Sequence, residues 1–429
     1  MLKAGFARLD ITPPLGTSLA GYFNRRFADG ILDPIELNAL ALQEDGKTVV
    51  MISVDCLGIS AYHHDNLRER VAAAMAISVE QVFIAALHQH TSFCLFEGKN
   101  TQTPDDPVYF TFFERKVVDV AQLAVLDLAD AALYSAQREV AEPIAFIRRY
   151  WMKDGTVATN PGRFNPEVDR PCNDADNTVR LLRFKRACGD IALVTFSTHP
   201  DVVSGTKLSA DWPGFARRFV ERDQKGAHCI LFTGAEGDSN HIDVLNGGGQ
   251  GYTHSEKMGR LIADAVRDVW EQGRAHQRTA LFTACRRVSI RTRTDEEELY
   301  LHMRAFMDDY NAGKLEYKPH ITELARARRI IRVHEEAGIY RHVPISVIGI
   351  GDVALVGLGG EPFTYYAKAF SALAPDKTVL TVCLANAYEG YLPTKAAFAE
   401  GGYEACNSLF SPDLEEKLVG AAAEILNQF

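Results

Sequence analysis

The stretch LNALALQEDGKTVVMISVD, Leu37 to Asp55, decides the architecture. Leu37 to Leu42 and Val49 to Val54 are apolar runs of strand length, and Glu44-Asp45-Gly46-Lys47 between them is a strong hairpin-turn signal. Asp55 follows the second strand. A helical stretch from about His64 to Met75 leads to a third apolar strand, Val82 to Ala86, which ends at His88-Gln89-His90. The same plan recurs twice, as a supersecondary repeat. Val179 to Phe184 and Ile191 to Phe196 flank Gly189-Asp190, His199-Pro200 follows, a helix from about Pro213 to Asp223 comes next, and Cys229 to Phe232 ends in Gly234-Ala235-Glu236-Gly237-Asp238-Ser239-Asn240. Ile345 to Ile350 turns at Gly351-Asp352 into Val353 to Gly357, followed by Glu361-Pro362, a helix to Leu373, the strand Thr378 to Leu384, and Asn386 to Tyr391.

Polar side chains able to do chemistry thus recur where strands end, which is where open α/β sheets place ligands. For one residue the polarity of loops is explanation enough; the coincidence of six positions argues for a single composite site. The expected fold is α/β, with mixed β-sheets flanked by helices, built from repeated hairpin-helix-strand units in one domain spanning residues 1–429. Helical insertions are expected at about 114–139 and 294–338: one long helix from Glu114 to Glu139, one opened by the capping-box pattern Thr294-Asp295-Glu296-Glu297, and one from about Ile321 to Ala337. The arginines of the last (Arg326, Arg328, Arg329, Arg332) read as a solvated face.

With 429 residues, 47% of them hydrophobic and 10% aromatic, the chain can fill a large core, which excludes disorder. Its net charge of −10 repels a phosphate backbone and excludes nucleic acid as a natural partner. The most apolar run, Pro344 to Gly360, is broken by Asp352 and several glycines, so no integral membrane association is expected. The N-terminal residues enter a strand-like alternation without a long apolar region, which points to a cytoplasmic protein. Its cysteines are scattered without CxxC pairs, so neither a disulfide framework nor a cysteine zinc site is expected. Nothing in the sequence speaks to oligomeric state.

His88 and His90 stand two apart, so an extended backbone sends their rings different ways: one can ligate a metal while the other faces substrate. His199 precedes Pro200, which holds its backbone extended. Glu361 follows an apolar, glycine-rich run and opens a helix whose dipole favours its anion. Tyr391 and Tyr403 flank a loop with Pro393 and Gly401-Gly402. Two histidines and a carboxylate are a common zinc set with room for an activated water. The residues alone reach as far as a metal-dependent hydrolase.

Taken in order, the motifs resemble the neutral/alkaline non-lysosomal ceramidase family in its catalytic N-terminal domain. The resemblance runs from Ala4-Gly5-Phe6-Ala7-Arg8-Leu9-Asp10-Ile11-Thr12-Pro13-Pro14 through Ser53-Val54-Asp55, His88-Gln89-His90-Thr91-Ser92 and Thr198-His199-Pro200 to Ser209-Ala210-Asp211-Trp212-Pro213-Gly214. It continues in Gly234 to Asp238, Gly360-Glu361-Pro362-Phe363, Tyr391-Leu392-Pro393-Thr394 and Tyr403-Glu404. It implies one Zn2+ per chain, bound by His88, His199, Glu361 and Tyr391, and a metal-activated water attacking an amide carbonyl. His90 would then move protons, and Tyr403 would steady the oxyanion. Arg148 is the best match for the substrate-binding arginine, with Arg149 and Arg163 as alternatives, and Asp238 and Asn240 join it as substrate contacts.

Departures from the family pattern shape the expected substrate. Asn240 stands where ceramidases have a serine proposed to act in catalysis, Phe93-Cys94-Leu95 replace glycine-containing sequence after the HxH motif, and His241 replaces a usual proline. Neither the signal peptide nor the C-terminal immunoglobulin-like domain of secreted ceramidases is expected. The expectation is therefore a zinc amidohydrolase acting on a small-molecule N-acyl compound that is smaller or more polar than ceramide. A metal-dependent esterase and an inactive metal-stabilised binding protein are the alternatives. His241 and His254, near Asp238 and the Gly247-Gly248-Gly249 loop, are further candidates for substrate contact.

Overall fold

In the computed structural model, which describes residues 1–96, 107–294 and 297–429, the first hairpin pairs Glu36–Glu44 with Lys47–Val54 in antiparallel register, Leu37 opposite Val54. The turn works because Asp45 and Gly46 both take positive φ, 49° and 80°, matching the twist of the flanking strands. The strand Val82–Ala86 then returns parallel to Lys47–Val54. The second unit repeats the plan: Thr178–Arg186 and Ile191–Phe196 are antiparallel, and His228–Thr233 returns parallel to the latter. In the third, Tyr340–Ile350 pairs with Val353–Leu358, and Thr378–Val382 returns parallel.

The first two units merge into one nine-stranded sheet because Lys3–Asp10 and Ala129–Glu139 lie between their hairpins. The third forms a four-stranded sheet with Leu281–Arg291 at its edge. Period-two alternation sorts the side chains. Phe6, Met51, Phe83, Phe184, Leu193 and Phe232 of the large sheet meet Ile348, Leu355 and Leu380 of the small one in a common interior. The opposite face of the large sheet is covered by the helices Ala61–Met75 and Pro107–Leu126 at one end and by Asp211–Asp223 and Tyr252–Val269 at the other. Thr364–Leu373 and Leu414–Leu426 cover the small sheet. The result is a four-layer α/β/β/α body. Among the described residues no helix is long and apolar enough to cross a membrane.

The single helix expected from Glu114 to Glu139 is corrected by the structure. The helix ends at Leu126, and Ala129–Glu139 is a strand. Asp127 stops the helix: its carboxylate accepts from the Phe6 amide at 2.9 Å and from Arg186 at 2.7 Å. Beyond it, every residue of Thr178–Arg186 pairs with this strand. That ladder joins the two halves of the sheet and overrides the helix preference of an alanine-rich segment. The second insertion is a helical hairpin, Glu297–Asn311 and Ile321–Glu335, closed by Met307, Leu324 and Ala327. Asp295 and Glu296 of the capping-box pattern lie outside the described residues. Arg326, Arg328 and Arg332 are exposed as expected, whereas Arg329 is half-buried.

A buried ion pair ties the strand ends together. Arg217 donates to both oxygens of Asp55, at 3.0 and 2.6 Å, and reaches Glu36 at 3.1 Å, while Gln89 donates to the same Asp55 at 2.9 Å. Arg217 is 1% exposed and Asp55 fully buried. Removing one partner strands a buried charge. Arg217→Met should therefore lower the unfolding free energy by about 3–5 kcal/mol, measured by urea denaturation. A loss below about 1 kcal/mol would show that the pair behaves like a surface bridge.

Candidate metal centre

The segments beyond Val82–Ala86, Ile191–Phe196, Val353–Leu358 and Thr378–Val382 converge. His88 adopts φ +72°, a left-handed conformation uncommon outside glycine and typical of functional turns. Its Nδ1 lies 2.8 Å from the Leu57 carbonyl oxygen. A carbonyl only accepts, so Nδ1 carries the proton and Nε2 keeps a free lone pair. His199 repeats the device, its Nδ1 being 2.9 Å from the Glu236 carbonyl and 3.1 Å from that of Ser239. The two Nε2 atoms stand 3.5 and 3.2 Å from the same oxygen, Glu361 Oε2.

Glu361 reaches this point on a two-residue strand that pairs in parallel with Tyr391–Leu392, which sets Glu361 and Tyr391 side by side. Its other oxygen accepts a hydrogen bond from the Tyr388 hydroxyl at 3.0 Å. The Gly234–Asp238 loop packs directly on this strand: the Gly237 amide donates to Pro362 at 2.8 Å, and a Cβ on Gly237 would lie 2.3 Å from the Glu361 carbonyl oxygen. Only glycine allows that approach.

His199 Nε2 and Glu361 Oε2 are buried and have no hydrogen-bond partner. Such orphaned groups cost about 1–3 kcal/mol each unless a ligand satisfies them. Two imidazole lone pairs and a carboxylate oxygen aimed at one point, each imidazole anchored through Nδ1–H to a carbonyl, match the donor set and outer shell of a zinc-type site. A second grouping overlaps the first: ring nitrogens of His88, His90 and His199 all lie within 4.8 Å of one another. The residues present fit a borderline divalent metal.

Charge balance follows from burial. Burial alone would raise the Glu361 carboxyl; positive charge at His88 and His199, which a bound cation would supply when both rings present lone pairs, together with Arg148 outweighs it and holds it below the usual carboxylate range. Burial and the Arg148 charge depress His199 to about 3. Burial and the neighbouring His88 push His90 well below its ordinary value, so its imidazole is neutral. Glu236 lies behind the centre, its Oε1 accepting from the Cys383 thiol at 3.2 Å. Burial, reinforced by Glu361, pushes its carboxyl well up.

Of the three candidate arginines, Arg148 faces the centre. Its guanidinium lies 5.2 Å from the Tyr391 ring centroid, pairs with Glu404 at 2.7 Å and donates to the Gly237 carbonyl at 2.7 Å. Arg149 turns instead to Glu400 and Phe363, and exposed Arg163 makes one long bond, 3.4 Å, to the Gly249 carbonyl. Tyr391 stacks beside His199 with ring centroids 6.5 Å apart, and Tyr403 lies 5.8 Å from Tyr391. Asp238 and Asn240 are committed elsewhere. Asp238 accepts from the Thr364 amide at 2.7 Å and from Asn173 at 2.7 Å. Asn240 donates to Asn160 at 2.9 Å and accepts from the Ile242 amide at 3.0 Å. Of the residues that replace glycine-containing family sequence, Phe93 and Leu95 fill the core, and Cys94 packs with Ala20 and Leu57. The next residue, Phe96, stacks on Tyr388 at 4.8 Å. Sequence reasoning missed Tyr388 and Glu236, although both stand inside segments it had marked as strand-end loops.

A two-sheet α/β body with a buried imidazole–carboxylate cluster at its strand ends defines the class: an α/β protein with a candidate metal centre. A scan against protein-family models and a search of curated proteins return no match. Among solved structures the chain is similar to the neutral ceramidase from Pseudomonas aeruginosa, with a TM-score of 0.75 at 18% identity over 99% of this chain and 74% of that one. It is likewise similar to a ceramidase complexed with C2, with a TM-score of 0.75 at 17% identity and the same coverage. The chain has the neutral ceramidase fold.

His241 sits at the edge of this region, its ring centroid 6.0 Å from that of His254, and burial together with His254 depresses it to about 3. Its folded value lies below the unfolded one of about 6.5, so its stabilising contribution is complete above pH 6.5 and declines as pH falls towards 3. In metal-free protein, His241→Leu should make stability fall less steeply between pH 6 and 4, by about 1.4 kcal/mol per pH unit. Denaturant titrations at several pH values test this; an unchanged slope would mean that His241 is protonated in the folded state.

Proposed function

We propose that the chain is a zinc-dependent hydrolase that cleaves the amide bond of an N-acyl compound with a metal-activated water. The observation that carries this reading is the convergence of His88 Nε2 and His199 Nε2 on Glu361 Oε2, within a fold shared with ceramidases. Zinc held by His88, His199, Glu361 and Tyr391 would supply a Lewis acid and lower the pKa of water to about 7.

The chain's own residues supply the rest. His90 is neutral, and neither ring nitrogen has a hydrogen-bond partner, so it is free to accept a proton and pass it to the leaving amine. Arg148, fixed by Glu404 and the Gly237 carbonyl, places a positive charge behind Tyr391. The Tyr403 hydroxyl stays protonated, because burial raises its pKa, and can donate to an oxyanion as it develops. No serine or cysteine nucleophile is needed for this chemistry, and Asn240 cannot be one.

The three-histidine grouping favours a second reading, in which His90 is itself a ligand. Metal content separates the two. Protein purified without added metal should carry one zinc per chain, His199→Ala should lose it, and His90→Ala should retain it while turnover of N-acyl amides falls by about 100-fold or more. Loss of zinc from His90→Ala would transfer that histidine to the ligand set. Turnover of ester analogues alone would identify an esterase, and zinc retention without turnover of either would identify a binding protein.

A further inference from the structure

We propose that Asp201 is the positioning residue for His90, holding its Nδ1–H so that the Nε2 lone pair faces the metal pocket. Asp201 Oδ1 stands 3.6 Å from His90 Nδ1, so a shift of a few tenths of an ångström makes the hydrogen bond. The same oxygen accepts the Tyr22 hydroxyl, which anchors the carboxylate beside the ring. Tyr22 also meets the His90 ring edge-on, with centroids 5.4 Å apart.

The hairpin that carries Tyr22, Ser18–Leu19 paired with Arg26–Phe27, is fastened to both partners. Arg26 donates to the carbonyl oxygens of His90 at 2.6 Å, Ala20 at 2.8 Å and Gly205 at 2.7 Å. The His90 amide donates to the Pro200 carbonyl at 3.2 Å. At the hairpin tip Gly21 takes φ +95°, and a Cβ there would lie 2.5 Å from His90 Nδ1. Gly21 and Asp201 thus stand against Nδ1, Tyr22 packs on the ring, and the ring centroid is 4.9 Å from that of His88. A carboxylate hydrogen-bonded to one ring nitrogen sets the tautomer and makes the other nitrogen the base.

The consequence for turnover rests on the amide-hydrolase reading; the consequence for the tautomer does not. In zinc-loaded, histidine-15N-labelled protein, ring nitrogen shifts assigned through His90→Ala should show the Nδ1–H form of His90, and Asp201→Ala should abolish that preference while zinc stays at one per chain. In the amidase assay the same variant should lower kcat by about 10- to 100-fold with KM little changed, and should add no further loss in the His90→Ala background. Asp201→Glu should restore part of the rate. An Nε2–H form in the parent, or an unchanged tautomer in Asp201→Ala, overturns the proposal, as does full kcat in that variant. A tautomer that responds as expected in a protein with no amide turnover upholds Asp201 and removes the amidase reading instead.

Discussion

Burying the Glu361 carboxylate is the constraint on which the centre depends. A carboxylate 1% exposed is unfavourable unless positive charge or a metal meets it, and every element around it answers that demand. His88 and His199 face its Oε2, Tyr388 donates to its Oε1, and Arg148 contributes a guanidinium whose own burial is offset by Glu404. The imidazoles can serve only if their lone pairs point inward, and this is why both Nδ1 atoms are tied to main-chain carbonyls. Those carbonyls belong to the loops after Lys47–Val54 and His228–Thr233. The geometry of the candidate ligands therefore depends on the sheet register itself, and with it on the Arg217–Asp55 pair that joins the Asp211–Asp223 helix to the first of these loops.

Much of this was legible in the sequence where local signals and global fold agree. The three hairpin turns contain Gly with Asp, and two strands of the repeated units, the hairpin strand Ile191–Phe196 and the returning strand Val82–Ala86, have the expected boundaries. The strand-end positions of His88, His199 and Glu361 follow from the repeated unit. What escaped was non-local. The strand Ala129–Glu139 has the composition of a helix, and only its ladder with Thr178–Arg186 makes it a strand. Asp238 and Asn240 sit in the right loop, yet their bonds to Thr364 and Asn160 come from segments remote in sequence. Asp201 follows His199-Pro200 without any pattern of its own, and its link to Tyr22 spans most of the first half of the chain.

Asn240 shows how a departure from the family pattern can be structural. Its side chain bonds to Asn160, whose amide donates to the Arg148 carbonyl at 2.7 Å. Ser239 and Asn240 also pair with Phe146–Ile147, immediately before Arg148, and the Ser239 carbonyl receives His199 Nδ1–H. The position that would carry a catalytic serine here braces the arginine through Asn160, while its neighbour Ser239 holds a candidate ligand. An asparagine suits that role because its amide donates and accepts together, whereas a serine hydroxyl has one proton and a shorter reach. Chemistry that needs a serine nucleophile is therefore excluded at this position by its hydrogen bonding as well as by its identity. In the hydrolysis proposed above, the groups left to act on a carbonyl would be the neutral His90 imidazole, the Tyr403 hydroxyl and the field of Arg148.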